Sequence, residues 1–441
     1  MRDVIVVGGG LGGLLVAADV RRRGGDPILL EASNRPGGVA QTIREDGFLL
    51  EPAAGSLLLP NPDLTPILEA AGVSFVAAHR EARTRFVYDR GTLFEVPESP
   101  KFLFTRLVSW RAKWRAAREP WVTTPPPAGE ESLLGFFTRR FGLDVGRLGA
   151  DLMAHGVFAG DPASLSIQAA FPRLVALEQA AGSVVKGGLQ RRKQRPAGTR
   201  RPSVHVAPEG MAAIAARLAA YLDDEFRPNH PVTAVRRSDG GRWIVEWDGG
   251  TESADAVVVA LAPAQASPLL PEPLAGLLTG RPLAPVAVVG LGGPATSLRL
   301  PTGFGALTGP DSGIRALGIL FESEYSPDRA PSGFQLAKGI YGGAADPGIM
   351  EESDEAIAAL MSRELGRITG RTVEPTWVRV RRSSIPQYPV GHAAWMDQVD
   401  EQLAHLPGLH LAGWGYRGIG VSSLGADAAR IGAALDRGPV S

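Results

Sequence analysis

The residues best suited to chemistry cluster at the start of the chain. Gly8, Gly10 and Gly13 spell G-x-G-x-x-G between an apolar run, Val4 to Val7, and a helical stretch reaching Arg23. The first glycine permits a tight turn, the second lets the backbone approach a pyrophosphate, and the third lets helix and strand pack closely. A helix starting there aims unpaired N–H groups and its positive dipole end at phosphate oxygens. Glu31 closes a second apolar strand, Pro27 to Leu30, 18 residues beyond Gly13. A carboxylate in that place accepts hydrogen bonds from both ribose hydroxyls and repels a 2′-phosphate, which disfavours NADP and leaves NAD and FAD. Arg35 and the doublet Gly37-Gly38 follow as E-x-x-x-R-x-G-G. They offer a cation and a second bare backbone segment just past the ribose, as a cofactor with a second long arm requires.

A β-α-β unit must hold these groups, and Gly24-Gly25 is the natural stop for its helix. Further on, hairpins are expected over 40–50, turned at Asp46-Gly47, and over 85–96, turned at Asp89-Arg90-Gly91. Helices are expected over 63–71, within 131–181, and over 210–221 and 355–369. Strands are expected at 203–206, 232–235, 243–247 and 256–261 and dominate 283–382. The chain closes on a strand at 409–412, a glycine loop, and a helix from about Val421 to Leu435.

The 441 residues are 44% hydrophobic, enough for two or three domains. Net charge is zero, so no global field favours nucleic acid, and no groove-reading module is visible. The absence of cysteine excludes disulfides, thiolate metal sites, thiol catalysis and a cysteinyl flavin. No metal site is expected. No apolar run approaches the roughly 20 residues of a membrane span, and no secretory signal is seen. A cytoplasmic protein, soluble or lying on a membrane surface, is the expectation. Two basic stretches stand out. Lys101 to Arg118 mixes six cations with Phe102, Phe104, Leu107, Val108, Trp110 and Trp114, as a membrane-surface helix would. Residues 186–201, KGGLQRRKQRPAGTRR, are rich in loop formers.

The E-x-x-x-R-x-G-G pattern resembles the FAD signature of the amine oxidase and phytoene desaturase flavoproteins. Gly413 and Gly418-Ile419-Gly420, between a strand and a helix, resemble the element that points its helix N-terminus at the flavin in that group. Over nearly its whole length the chain resembles the oxygen-dependent, FAD-containing protoporphyrinogen oxidases and their coproporphyrinogen-oxidising relatives. TRFVYDRG (84–91), GVFAGDPASLSIQAAFP (156–172), GFGAL (303–307), SIPQYPVGH (384–392) and LHLAGWGYRGIG (409–420) carry the resemblance. IPQY followed two residues later by GH is its most specific part.

The resemblance implies an α/β fold with three parts. A Rossmann-type FAD-binding domain would use 1–80, 203–262 and 405–441. A mixed or antiparallel-sheet substrate domain would use 81–98 and 263–404. A helical membrane-binding lobe would fill 99–202. FAD would be held by Gly8, Gly10, Gly13, Glu31, Arg35, Gly37, Gly38, Gly55, Ser56, Val232, Gly413, Gly420 and Val421. A tetrapyrrole would bind through a propionate on Arg85. Phe304, Leu307 and Ile340 would line the macrocycle site, with Met153 and Gly156 on the opposite wall. The flavin would oxidise the porphyrinogen in three rounds and O₂ would reoxidise it, giving H₂O₂, with no acid/base side chain required. The protein would be a monomer or homodimer, peripheral on the inner face of the cell membrane. Two segments depart from the family pattern: Glu51-Pro52-Ala53-Ala54-Gly55-Ser56 stands for E-x-G-P-N-S, and Val421-Ser422-Ser423-Leu424 for N-D-C or P-x-C. They leave flavin tuning and the choice between proto- and coproporphyrinogen open. Two further readings remain: an amine or polyene oxidase on the same scaffold, and a flavin-holding membrane adaptor without turnover.

Overall fold

The computed structural model describes residues 3–79, 81–96, 105–194, 196, 198 and 200–436. Val4–Val7 is apolar throughout because it is buried on both faces, at the centre of a parallel sheet. That sheet has five strands, ordered Phe226–Arg227, Pro27–Leu30, Val4–Val7, Ala256–Val259, Leu409–Leu411. Three stretches remote in sequence therefore meet at one sheet. Helices Leu11–Arg22, Met211–Leu222 and Val421–Asp436 share one core with it, built on Leu14, Leu15, Leu218, Leu424 and Ile431. A second core, with Trp243, Val257, Trp395 and Tyr416, lies under the antiparallel strands Val232–Arg237, Trp243–Trp247 and Gly250–Ala254.

A seven-stranded mixed sheet forms the other main layer. Its order is Trp377–Pro386, Leu283–Pro294, Phe334–Gly342, Gly318–Leu320, Gly305–Thr308, Arg85–Asp89, Thr92–Val96. Only the pairing of Gly305–Thr308 with Arg85–Asp89 is parallel. Strand alternation divides the side chains between the two faces. Phe86, Tyr88, Ala306 and Ile319 pack in the core that includes Ile357, Met361 and Leu365 of helix Asp354–Thr369. Val87 packs instead with Leu107 and Leu148, toward the helical segment, and Arg85 and Leu307 share its face.

That helical segment contains Trp110–Ala117, Leu133–Phe141, Leu143–Val157, Pro172–Ala181 and Val184–Lys193. Ser109, Ser132 and Ser183 cap three of these helices, each hydroxyl accepting the N–H three residues on. Two expectations need correction here. The 186–201 stretch is not simply loop: its first part belongs to helix Val184–Lys193. Ser183 caps that helix, and the buried Glu119 carboxylate accepts the N–H groups of Val184 and Val185. These tertiary contacts override a weak local propensity. Arg195, Ala197 and Thr199 lie outside the described residues. Among the described residues the basic aromatic stretch is helical only over Trp110–Ala117, shorter than a helix over all of 101–118. Phe102, Phe104 and the rest of 97–104 lie outside the described residues, as do Arg80 and 437–441 at other expected segment ends.

Candidate active site

The opening turn has the geometry a dinucleotide needs. Gly8 sits at φ +104°, and its N–H donates to the Leu30 carbonyl at 2.8 Å. A Cβ on Gly13 would lie 1.9 Å from the Gly8 oxygen, so the third position admits no side chain. A Cβ on Gly10 would meet nothing within 4 Å, so the space before the turn is open. Gly10 also begins the first helix without a side-chain cap, leaving the first-turn N–H groups for an anion. Glu31 is half-buried. Its Oε2 accepts from Gly9 N at 2.6 Å and its Oε1 from Ser33 N and Oγ at 2.8 and 2.6 Å. Oε2 thus keeps a lone pair for a ribose hydroxyl, while Oε1 is fully engaged by Ser33. The doublet lies against this turn: Gly37 N donates to Gly9 O at 2.7 Å, and a Cβ on Gly38 would come within 3.2 Å of Gly10 Cα. Arg35 is exposed, its Nη2 3.5 Å from Gly38 O. Val232 is half-buried on the core that contains Leu30, just past His230, whose N–H donates to Glu31 O at 2.8 Å. These residues fit the phosphate and ribose end of an adenine dinucleotide.

The chain's last loop touches the first. A Cβ on Gly12 would lie 3.5 Å from Gly413 Cα. Gly413 and Gly420 hold φ +117° and +92°, and Val421, the first residue of the final helix, is buried. Gly55 and Ser56 are half-buried, and Gly55 O accepts from Arg329 Nη2 at 2.7 Å. The SIPQYPVGH segment braces the terminal loop. The Tyr388 hydroxyl donates to Trp414 O and accepts from Gly418 N at 2.8 Å. Its ring stacks on His392, centroids 4.1 Å apart. His392 Nε2 donates to Tyr416 O at 2.8 Å, which leaves Nδ1 to accept from Arg281 Nη2 at 3.0 Å. Burial, reinforced by the Arg281 charge, pushes the His392 imidazole down to about 4, so it stays neutral. Gln387 ties the same segment to the helices, donating to Phe158 O at 2.8 Å. The sequence motif was legible; its partners were not, because they lie in another part of the chain.

Arg85 and Phe304 line one cavity of about 560 Å³, with the guanidinium carbon 5.9 Å from the Phe304 ring centre. Phe304 stacks in turn on Tyr325 at 4.5 Å. Leu307 faces Gly156, where a Cβ would lie 3.3 Å from Leu307 Cδ1. Gly318 pairs with both Leu307 and Ile340, so these two lie on the strands either side of Gly318–Leu320, with Leu307 the one beside Gly156. The structure thus groups Arg85 with Phe304 and Leu307 with Gly156 and Ile340. Met153 packs against the helical core of Phe136 and Phe158 instead of lining the Arg85 cavity. Sequence reasoning missed Arg83, Arg200 and Arg201, which line the same cavity, and among the described residues its lining contains no Asp or Glu. The R-x-R spacing at 83–85 and the basic end of 186–201 were the available signals. Among the described residues, no group of three His, Asp or Glu side chains could hold a metal.

Comparison with known proteins adds kinship to this geometry. The sequence profile of the family described as flavin containing amine oxidoreductase matches residues 11–421. Protoporphyrinogen oxidase of Bos taurus is 30% identical over 96% of this chain and 95% of its own. Coproporphyrinogen III oxidase of Bacillus subtilis (strain 168) is 27% identical over 95% of each. A solved structure of a protoporphyrinogen oxidase candidate from Exiguobacterium sp. 255-15 superposes with a TM-score of 0.81 at 27% identity, covering 99% of this chain and 98% of that one.

Proposed function

The chain belongs to the protoporphyrinogen oxidase family within the flavin containing amine oxidoreductases, and from that membership we propose that it oxidises a porphyrinogen to the corresponding porphyrin. FAD is its cofactor. When bound, FAD accepts two electrons and a proton per round and passes the electrons to O₂. A porphyrinogen loses six hydrogens in becoming a porphyrin, so three rounds consume three O₂ and release three H₂O₂.

The chain's own part is binding, orientation and exclusion of water. The turn at Gly8, Gly10 and Gly13, with Glu31, Arg35, Gly37, Gly38 and Val232 around it, would hold the adenine end. The unpaired N–H groups at Val421 favour negative charge beside them. Arg85 would pair with a propionate. Phe304 would give the macrocycle an apolar wall beside Arg85, and Leu307, Ile340 and Gly156, which stand outside that cavity's lining, would extend it, while Met153 packs into the helical core. The observation that carries this reading is the pairing of Arg85 with the Phe304 ring at one cavity whose described lining includes no acidic residue. The sheet assignments support division into segments 1–80, 203–262 and 405–441 for the cofactor, 81–98 and 263–404 for the substrate, and 99–202 for a helical lobe.

A second substrate reading has its own support. Arg83, Arg85 and Arg201 form no ion pair among the described residues, yet share the cavity. Coproporphyrinogen carries four propionates where protoporphyrinogen carries two, so three or more cations favour the former. The test mixes the purified protein with each porphyrinogen in air and follows porphyrin fluorescence. Fluorescence growth with either supports the reading, and a larger kcat/KM for coproporphyrinogen supports the second. Flavin bleaching by amines or polyenes, with no porphyrin formed, would move the protein to another oxidase class. No flavin reduction by any of these would favour the adaptor.

A membrane face is part of the proposal. Trp110, Trp114 and Trp121 are 72%, 65% and 73% exposed, among Arg111, Arg115 and Arg118. Such a patch suits the headgroup region, and the basic side chains suit anionic lipid. Among the described residues, no helix is long and apolar enough to cross a membrane.

A further inference from the structure

A buried ionic quartet lies behind the 51–56 segment. Glu51, Glu322, Arg329 and Lys338 are each at most 3% exposed. Lys338 Nζ is 2.7 Å from Glu322 Oε1 and donates to the Glu51 carbonyl at 3.1 Å. Arg329 Nη1 is 3.1 Å from Glu322 Oε2, while its Nη2 donates to the Gly55 carbonyl at 2.7 Å. Two cations on a shared carboxylate thus hold the two ends of one short segment. Between those ends stand Pro52, Ala53 and Ala54, which have no polar side chain to anchor themselves. Ala54 packs on the core that includes Ala412, Val421 and Leu424, and strand Leu57–Leu59, just past the segment, lies against helix Val421–Asp436. Because a trans peptide points its C=O and N–H in opposite directions, the Ser56 N–H faces away from Arg329.

Burying four charges is costly, and such a network is retained where it fixes a geometry. We propose that Lys338 and Arg329, anchored by Glu322, are positioning residues for FAD: they fix the 51–56 backbone beside the final helix, so that the flavin end meets a preset surface. The inference rests on the family's flavin content but not on any porphyrinogen activity. It also suits a segment in which Gly55 stands where the family pattern has asparagine, since backbone anchoring needs no side chain there.

The test titrates FAD into apoprotein and reads quenching of flavin fluorescence, beside the apoprotein's urea midpoint and the flavin's midpoint potential. Lys338→Met should weaken FAD binding at least tenfold and lower the potential, because a buried positive charge is lost. Glu322→Gln with Lys338→Met leaves no excess buried charge. It should restore the urea midpoint and most of the potential, yet keep FAD at least fivefold weaker. Lys338→Arg should recover part of the affinity. If the double variant binds FAD within twofold of wild type, or if Lys338→Met lowers only the urea midpoint, the residues are structural and the proposal is overturned. If wild-type apoprotein binds no FAD at all, the cofactor assignment fails first and the proposal falls with it.

Discussion

Replacing Glu51 by Gln should flatten part of the protein's pH–stability profile. The carboxyl is 1% exposed, and burial pushes it up to about 7 against the pull of Arg329, the Met211 N–H, Thr42 and Lys338. An unfolded glutamate titrates near 4.3. The folded value is the higher one, so the fold favours the protonated acid. That contribution is fully present below about 4.3 and is lost as pH rises to about 7. The rise from about 4.3 to about 7 corresponds to about 3.7 kcal/mol, of which about 3 falls above pH 5. Beside Glu51, Arg329 is held high, and against burial Lys338 and Arg329 keep Glu322 low. Glutamine resembles the protonated acid. Its carbonyl can keep the bonds from Met211 N at 2.8 Å and Thr42 Oγ1 at 2.9 Å, and its amide replaces the unpartnered Oε2. Urea unfolding of both apoproteins at intervals from pH 5 to 8.5 measures the difference. The variant should gain on wild type by about 1.4 kcal/mol per pH unit up to pH 7 and then level off near 3 kcal/mol. A difference that stays constant across the range would refute the argument.

Other side chains give sharper local tests. Arg85→Ala should raise the apparent KM for a porphyrinogen more than it lowers kcat, by an overall loss of roughly 1.5–3 kcal/mol in kcat/KM; unchanged constants remove Arg85 from the site. Tyr388→Phe removes the hydroxyl joining Trp414 O to Gly418 N and should cost about 1–3 kcal/mol of stability while speeding FAD release. Equal release rates would show that this loop does not hold the cofactor. Trp110→Ser, Trp114→Ser and Trp121→Ser together should lower binding to phosphatidylglycerol vesicles at least tenfold in a flotation assay, and retention of binding would place the membrane face elsewhere.

The features legible in the sequence were those whose cause is local. Val4–Val7 reads as a buried strand because every residue is apolar, and Asp46-Gly47 reads as a turn because both take positive φ. The glycine fingerprint is legible because steric room is a property of single positions, as the Gly13 clash shows. Elements with non-local causes were missed. Helix His392–Ala404 starts at Gly391 with no side-chain cap, and strand Gly250–Ala254 contains no large apolar residue. Helix Val184–Lys193 depends on Glu119, more than sixty residues away, to accept its first N–H groups.

The candidate site follows the same division, with a consequence for what motifs report. Tyr388 belongs to the most specific motif of the chain, yet no substrate wall includes it. Its hydroxyl reaches residues 26 and 30 positions further on. Lys338 belongs to no motif, yet grips the Glu51 carbonyl 287 positions back. In both cases a side chain from the proposed substrate half takes a backbone group of a loop in the proposed cofactor half. A cofactor that must meet a rigid macrocycle at one geometry needs its two halves fixed to each other, since small misplacements at a reacting centre are expensive. By the same reasoning, a variant that loosens this joint should weaken cofactor retention before it alters substrate affinity.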